Sequence, residues 1–307
     1  MEGPCDFPHD AEVDVATASE LSVALEGATP GTLIRLAPGT YAGNFEATTP
    51  GADNKPIIVC GPREAVLDGE TTSSGYVVYL NKVDRWIVSG FTVTRGKKGV
   101  MVDESNGNLL TGLLVYDIGD EAVHFRKFSS DNTISFSEIR DTGKESPGFG
   151  EGVYLGSAVS NWDTITGSSD TPDTSDGNKV LSNVFGPGIT AEHIDVKEGT
   201  TGGEVRGNTF HGAGISGANY ADSWMDVKGN GYQIAENTGL DSPLDGFQTH
   251  VAVDGWGNDN VFTKNVANVN GPGFGFSIVK ASQGNVVRCD NMVNGAASGF
   301  ANVDCVR

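Results

Sequence analysis

Two segments of the chain repeat one phrase, and the side chains in it can do proton chemistry. His193-Ile194-Asp195-Val196-Lys197 returns as Trp224-Met225-Asp226-Val227-Lys228. A glycine turn follows each copy, and then an Asn-Thr pair, Asn208-Thr209 and Asn237-Thr238. Alternate residues of a strand face opposite ways. With Ile194 and Val196 turned inward, Asp195 and Lys197 face outward, as do Asp226 and Lys228. Stacking the copies sets two carboxylates and two ammonium groups in adjacent rows on one outer surface. A lysine pressed by a second cation or by burial gives up its proton more readily, whereas a neighbouring carboxylate holds the proton on. The two aspartates can instead form the acid and base of a glycoside hydrolase, their separation setting inversion or retention. A surface salt-bridge ladder that only neutralises itself is the bland alternative, worth little per pair.

The same alternation extends along the chain. Short apolar runs recur at residues 100–103, 123–126, 153–156, 194–197, 225–228, 247–251 and 275–279, separated by Gly, Asn and Asp. One outward row then reads Met101, His124, Tyr154, Asp195, Asp226 and Gln248, and its neighbour Asp103, Arg126, Gly156, Lys197, Lys228 and His250. At about 4.8 Å between strands, three coils span roughly 15 Å, a few sugar units. Arg, Lys, His and Tyr on one ribbon of an acidic protein suit a carboxylated polymer. Cleaving a uronide by β-elimination needs a cation against the carboxylate, a base for the adjacent proton and an acid for the leaving oxygen. Lys197 or Lys228 can be the base, Arg126 and the other lysine the neutralising cations, and Tyr154, His124 and His250 the candidate acids. His193, Asp222, Trp224 and Gln248 stand beside the row as candidate substrate contacts, with Trp224 and Trp256 able to stack on sugar rings.

Cycles of twenty-odd residues without helical periodicity imply stacked strand units, an all-β parallel solenoid formed by one domain over 1–307. Asn183, Asn208, Asn237, Asn265 and Asn291 recur at matching places and read as an internal ladder. Residues 1–16 are polar and without pattern. Residues 17–28 read as a short amphipathic helix covering the first coil, opened by Thr17 with Glu20 in its first turn. Residues 157–176 break the rhythm as a long polar loop, a decoration or a cleft wall.

The 307 residues carry 20 basic and 40 acidic side chains, a net charge of −20. That balance argues against duplex nucleic acid or an anionic membrane as partner. No stretch has the length and apolarity of a membrane span. Met1-Glu2-Gly3 reads as the start of an already processed chain. The four cysteines lie in two end groups, and pairing Cys5 with Cys60 and Cys289 with Cys305 suits a secreted, monomeric protein; buried free thiols are the alternative.

ELSVALEGATPGTLIRLAPGTY, followed by KPIIVCGP and AVLDG, resembles the entrance to right-handed parallel β-helix proteins of the pectate-lyase-like kind. It is similar in particular to the alginate-lyase and chondroitinase-B family of polysaccharide lyases. The resemblance implies a right-handed parallel β-helix and a lyase, with a uronate epimerase or a non-catalytic carbohydrate-binding solenoid as other uses of the fold. That family carries a Glu, four residues, then its catalytic Lys before a G-N-T-aromatic turn. Glu192, Lys197 and Gly207-Asn208-Thr209-Phe210 match, which makes Lys197 the base and Glu192 a calcium ligand. The chain departs at Thr190, where the family has a second acidic ligand, and at Glu198, where it has Ser. Tyr220, Asp222 and Trp224 stand where an Arg-His-Gly segment is expected. These departures point to a polymer other than alginate or chondroitin.

Overall fold

Glycine, asparagine and aspartate cut the chain into strands of two to six residues. In a computed structural model that describes residues 3–307, these strands stack into three sheets of 11, 10 and 10 strands with every ladder pairing parallel. Apart from the first pair, Ala11–Val15 with Thr32–Leu36, neighbours within a sheet are three strands apart in sequence, so the chain visits each sheet once per coil. This is the expected all-β parallel solenoid. Met1 and Glu2, read above as a processed start, lie outside the described residues. One buried apolar cluster runs from Val15 to Val287 along the inside of the coils.

The sequence reading finds two runs per cycle where the fold has three strands. Leu109–Thr111 and Leu114–Tyr116 are separate strands meeting at a corner, as are Thr133–Ser135 and Glu138–Arg140. The corner residue is left-handed in coil after coil: Gly112, Phe136, Ser182, Gly207, Glu236 and Lys264 have φ between 50 and 68°. Glycine takes that conformation freely and other residues seldom do, so four of the six corners carry no signal in residue type.

Beside each corner the asparagines bond one another in the core. Asn183 Nδ2 donates to Asn208 Oδ1, Asn208 to Asn237, Asn237 to Asn265 and Asn265 to Asn291, at 2.9–3.1 Å. Each also donates to a backbone carbonyl one coil back, so no buried amide is left unpaired. A second ladder joins Asn108, Asn132 and Asn178.

The helix runs Ala18–Gly27 behind a capping box in which Thr17 and Glu20 bond each other's backbone N–H. It buries Leu21 and Leu25 beside Phe45, Leu67 and Trp86 of the first coils. Residues 11–15, taken above as patternless, form a strand that pairs with Thr32–Leu36; the alternation of AEVDV is its only sign. Both expected disulfides are present, Cys5–Cys60 and Cys289–Cys305. Among the described residues no helix is long and apolar enough to cross a membrane.

The insertion at 157–176 is built rather than loose. It holds a short helix, Trp162–Thr166, whose buried Trp162 donates from Nε1 to the Ser157 carbonyl at 2.9 Å. Asp173 ties its far end back to the coils by accepting from the backbone N–H groups of Lys127 and Phe128 and from Ser157 Oγ. Asn178 then resumes the ladder. The extra residues therefore leave the stack undisturbed.

Candidate active site

The site is laid out by strand register. Met101 pairs with His124, His124 with Tyr154, Tyr154 with Asp195, Asp195 with Asp226 and Asp226 with Gln248. The predicted row thus forms without a slip, and Asp103 and Arg126 of the second row pair likewise. The difference is depth. Asp195, Asp226, His124 and Gln248 are buried, because the 157–176 insertion and two facing turns rise around them. What reads as an outer face is the floor of a cleft.

Lys197 lies at its centre. Its Nζ is 2.5 Å from Asp195 Oδ2 and 4.9 Å from the centre of the Tyr154 ring. Lys228 Nζ reaches Asp195 Oδ1 at 2.8 Å and Asp226 Oδ2 at 3.2 Å. Burial works against both ammonium groups, but Asp195 outweighs it at Lys197, and Asp195 with Asp226 at Lys228, so both lie above the ordinary lysine range. Burial likewise works against the ionised aspartates, and the lysines overcome it, leaving Asp195 and Asp226 below the usual carboxylate value. Burial, then the Asp195 charge, pushes the Tyr154 hydroxyl well above the phenol range.

These directions weigh against Asp195 and Asp226 as the acid and base pair of a hydrolase. A glycoside hydrolase needs one carboxyl that keeps its proton. Here one lysine clamps Asp195 and Asp226 together, and neither has a proton to give.

Two predicted contacts are not in the cleft. Trp224 is fully buried, 6.5 Å from the Phe210 ring and 5.7 Å from that of Phe247. It follows Ser223, whose hydroxyl bonds Asp226, and both Trp224 and Met225 turn inward, breaking the alternation. Gly239 and Gly246 make the room: a Cβ on either would strike the indole. His193 is also fully buried, stacked between Phe185 and Phe210 with neither ring nitrogen bonded. Burial, with His211 nearby, pushes its pKa down to about 3. Trp256 is half-buried outside the row.

The other predicted residues divide between two recesses that share Lys197. The larger, about 710 Å³, is lined by His124, Arg126 and Tyr154; the smaller, about 440 Å³, by Asp222, Asp226, Lys228, Gln248 and His250. Arg126 gives Nε and Nη2 to Asp103 at 2.7 and 3.1 Å, and Asp103 also accepts from Tyr79. His124 faces Glu121 with Nδ1 and the Gly156 carbonyl with Nε2, so both ring nitrogens are engaged. Gln248 donates to Asp222 at 2.7 Å and accepts from His250.

Sequence reasoning misses a column of acids just ahead of the row. Register carries Glu121 onto Glu151 and Glu151 onto Glu192, each two residues before a first-run valine or isoleucine. EAVH, EGVY and EHID are the signal. Glu151, Glu192 and Asp195 hold carboxylate oxygens within 4.8 Å of one another, close enough for one metal ion. Glu151, from the coil before, places an acidic side chain beside Glu192, where Thr190 offers none. Burial, then Asp195, lifts Glu192 to about 8, and burial with three neighbouring acids lifts Glu151 well above its usual value. With Asp226 included, four carboxylates face two lysines and leave two negative charges, which a divalent cation or bound protons can balance. Lys97, Lys98 and the turns carrying Phe149, Asn219 and Tyr220 also line the cleft and were not anticipated.

No family model matches the chain, and none of the curated proteins does. Solved structures do match. An alginate lyase from Paenibacillus sp. str. FPU-7 is 39% identical, with a TM-score of 0.89, over 95% of this chain and 99% of that one. A pectate lyase, Pel9A, has a TM-score of 0.65 at 17% identity over 91% of this chain and 78% of its own. A rhamnogalacturonan lyase has a TM-score of 0.60 at 14% identity over 92% and 83%. The last two share the fold.

Proposed function

Because this chain belongs to the parallel β-helix polysaccharide lyases, we propose that it cleaves a uronic-acid-containing polysaccharide by β-elimination with Lys197 as base. The observation that carries this is the position of Lys197, shared by both recesses and set over Tyr154. A chain lying along the cleft puts one sugar in each recess and the bond between them above the ammonium. Arg126, in the larger recess, faces the sugar carboxylate; Lys228 keeps Asp195 and Asp226 ionised and backs Lys197 with positive charge. Lys197 removes the proton beside the carboxylate once it has lost its own. Tyr154, whose burial keeps its hydroxyl protonated, donates to the leaving oxygen.

The all-oxygen donor set of Glu151, Glu192 and Asp195 fits a hard cation such as calcium. There a bound calcium would supply positive charge beside the sugar carboxylate, while the proton transfers remain with Lys197 and Tyr154. Two disulfides support a secreted enzyme.

Incubation with a panel of uronic-acid polymers tests the reading, with alginate first because the 39%-identical relative is an alginate lyase. Ultraviolet absorbance from a new carbon–carbon double bond, rising together with new reducing ends, is expected. Reducing ends without that absorbance would overturn elimination, and no product from any polyuronate would overturn the substrate class.

A further inference from the structure

The cleft has a bank built from two turns that belong to different coils. Pro147–Phe149 and Ala218–Tyr220 are short 3-10 turns held against each other. Asn219 Nδ2 donates to the Gly148 carbonyl at 3.2 Å, and Asn219 Cβ leaves no room for a side chain on Gly148. Thr190 clasps both turns, donating from Oγ1 to the Pro147 carbonyl at 2.9 Å and accepting at its own carbonyl from Ser216. Asn219 lines both recesses.

From this bank two aromatic rings stand out into solvent. Among the described residues four Phe or Tyr side chains are exposed: Phe128, Phe136, Phe149 and Tyr220. Phe149 lines the larger recess and Tyr220 the smaller. Tyr220 is 89% exposed, so it supports nothing in the fold. Yet Asn219 and Tyr220 are both left-handed, at φ 54 and 66°, a costly conformation for two successive residues with side chains. Asn219 returns a bond to Gly148, but Tyr220 supports nothing in the fold, and its conformation presents the ring beside the cleft. The strands that follow the two turns, Val153–Leu155 and Ser223–Val227, are two steps apart in their sheet, about 10 Å, close to two sugar rings.

We propose that Phe149 and Tyr220 are stacking platforms for the sugars on either side of the cleaved bond, the task that buried Trp224 cannot perform. The inference rests on the lyase reading, since Lys197 lies between the two platforms. A sugar's C–H face is apolar and stacks on an aromatic ring without needing its hydroxyls read.

Phe149→Ala, Tyr220→Ala and Tyr220→Phe test it against a uronic-acid oligomer, with turnover followed by absorbance and binding measured separately by calorimetry. Each alanine variant is expected to weaken binding and raise KM about three- to tenfold. Melting temperature and kcat should stay near those of the unaltered protein. Tyr220→Phe keeps the ring and should remain within about twofold. Unchanged affinity in both alanine variants overturns the platforms, as does a loss in Tyr220→Phe equal to that in Tyr220→Ala. If the unaltered protein binds the oligomer without forming unsaturated ends, the elimination reading fails while the affinities still decide the platforms. If it binds no polyuronate, both fail.

Discussion

The Lys197 ammonium lies 4.9 Å from the centre of the Tyr154 ring while its proton is held by Asp195 at 2.5 Å. The proposed base and acid are therefore neighbours, one on a strand and one just past the end of the next, and the proposed base is charged at rest. Lys197→Ala and Tyr154→Phe should each lower kcat about 10²- to 10⁴-fold, and the double variant little further, because the two act in one step. Lys228 still pairs with Asp195 in Lys197→Ala, so its melting temperature should barely move. Activity of the unaltered protein should climb with pH toward the alkaline side, since Asp195 raises the pH at which Lys197 becomes a free amine. A flat or falling alkaline limb in the kcat/KM profile would reassign Lys197 from base to acid.

Calcium has a signature apart from turnover. If Glu151, Glu192 and Asp195 hold it, adding calcium to chelator-treated protein should raise the melting temperature, by about 2.7 kcal/mol of stability at a hundredfold excess over Kd. Glu151→Gln and Glu192→Gln should lose that response. An equal response in both variants and the unaltered protein would move any calcium elsewhere.

The row of candidate side chains was legible because apolar alternation and a repeating coil together fix the register: naming Asp195 and Asp226 as opposite residues needed only the two DVK copies. Depth was not legible. Nothing local in Ser223-Trp224 says that the strand opens with its alternation broken, because the cause is two glycines, Gly239 and Gly246, one in a different sheet and one a coil away. Glu151 was missed for a related reason. It lies ahead of its strand, and only stacking against Glu121 and Glu192 gives it meaning. The bank of Phe149 and Tyr220 comes from turns about seventy residues apart, which no pattern joins.

His193 gives the stability a defined acid limb. Its folded pKa is about 3 against 6.5 for an unburied histidine, so the unfolded chain takes up a proton that the folded one refuses. The stability is fully present above 6.5 and is lost as pH falls toward 3, at about 1.4 kcal/mol per pH unit from this group. His193→Phe fits the stack of Phe185 and Phe210 and should flatten that part of the curve, read as melting temperature against pH. An unchanged acid slope would place the sensitivity in other groups.

The asparagine ladder should be unforgiving at its centre. Asn237→Ala deprives Asn208 Nδ2 of its acceptor and the Val205 carbonyl of its donor, both deep in the core. A loss of about 2–4 kcal/mol is expected in urea unfolding. A loss under about 1 kcal/mol would mean that the ladder is dispensable.

Asn132 and Asn178 bond across 46 positions of sequence, nearly twice the usual step, yet they stack like any other rung. The solenoid thus tolerates a graft: whatever grows between two rungs hangs beside the cleft without altering the machinery beneath it. Exchange of residues 157–176 for a differently shaped segment is the natural route by which such an enzyme would change the polymer it admits while keeping the chemistry it performs.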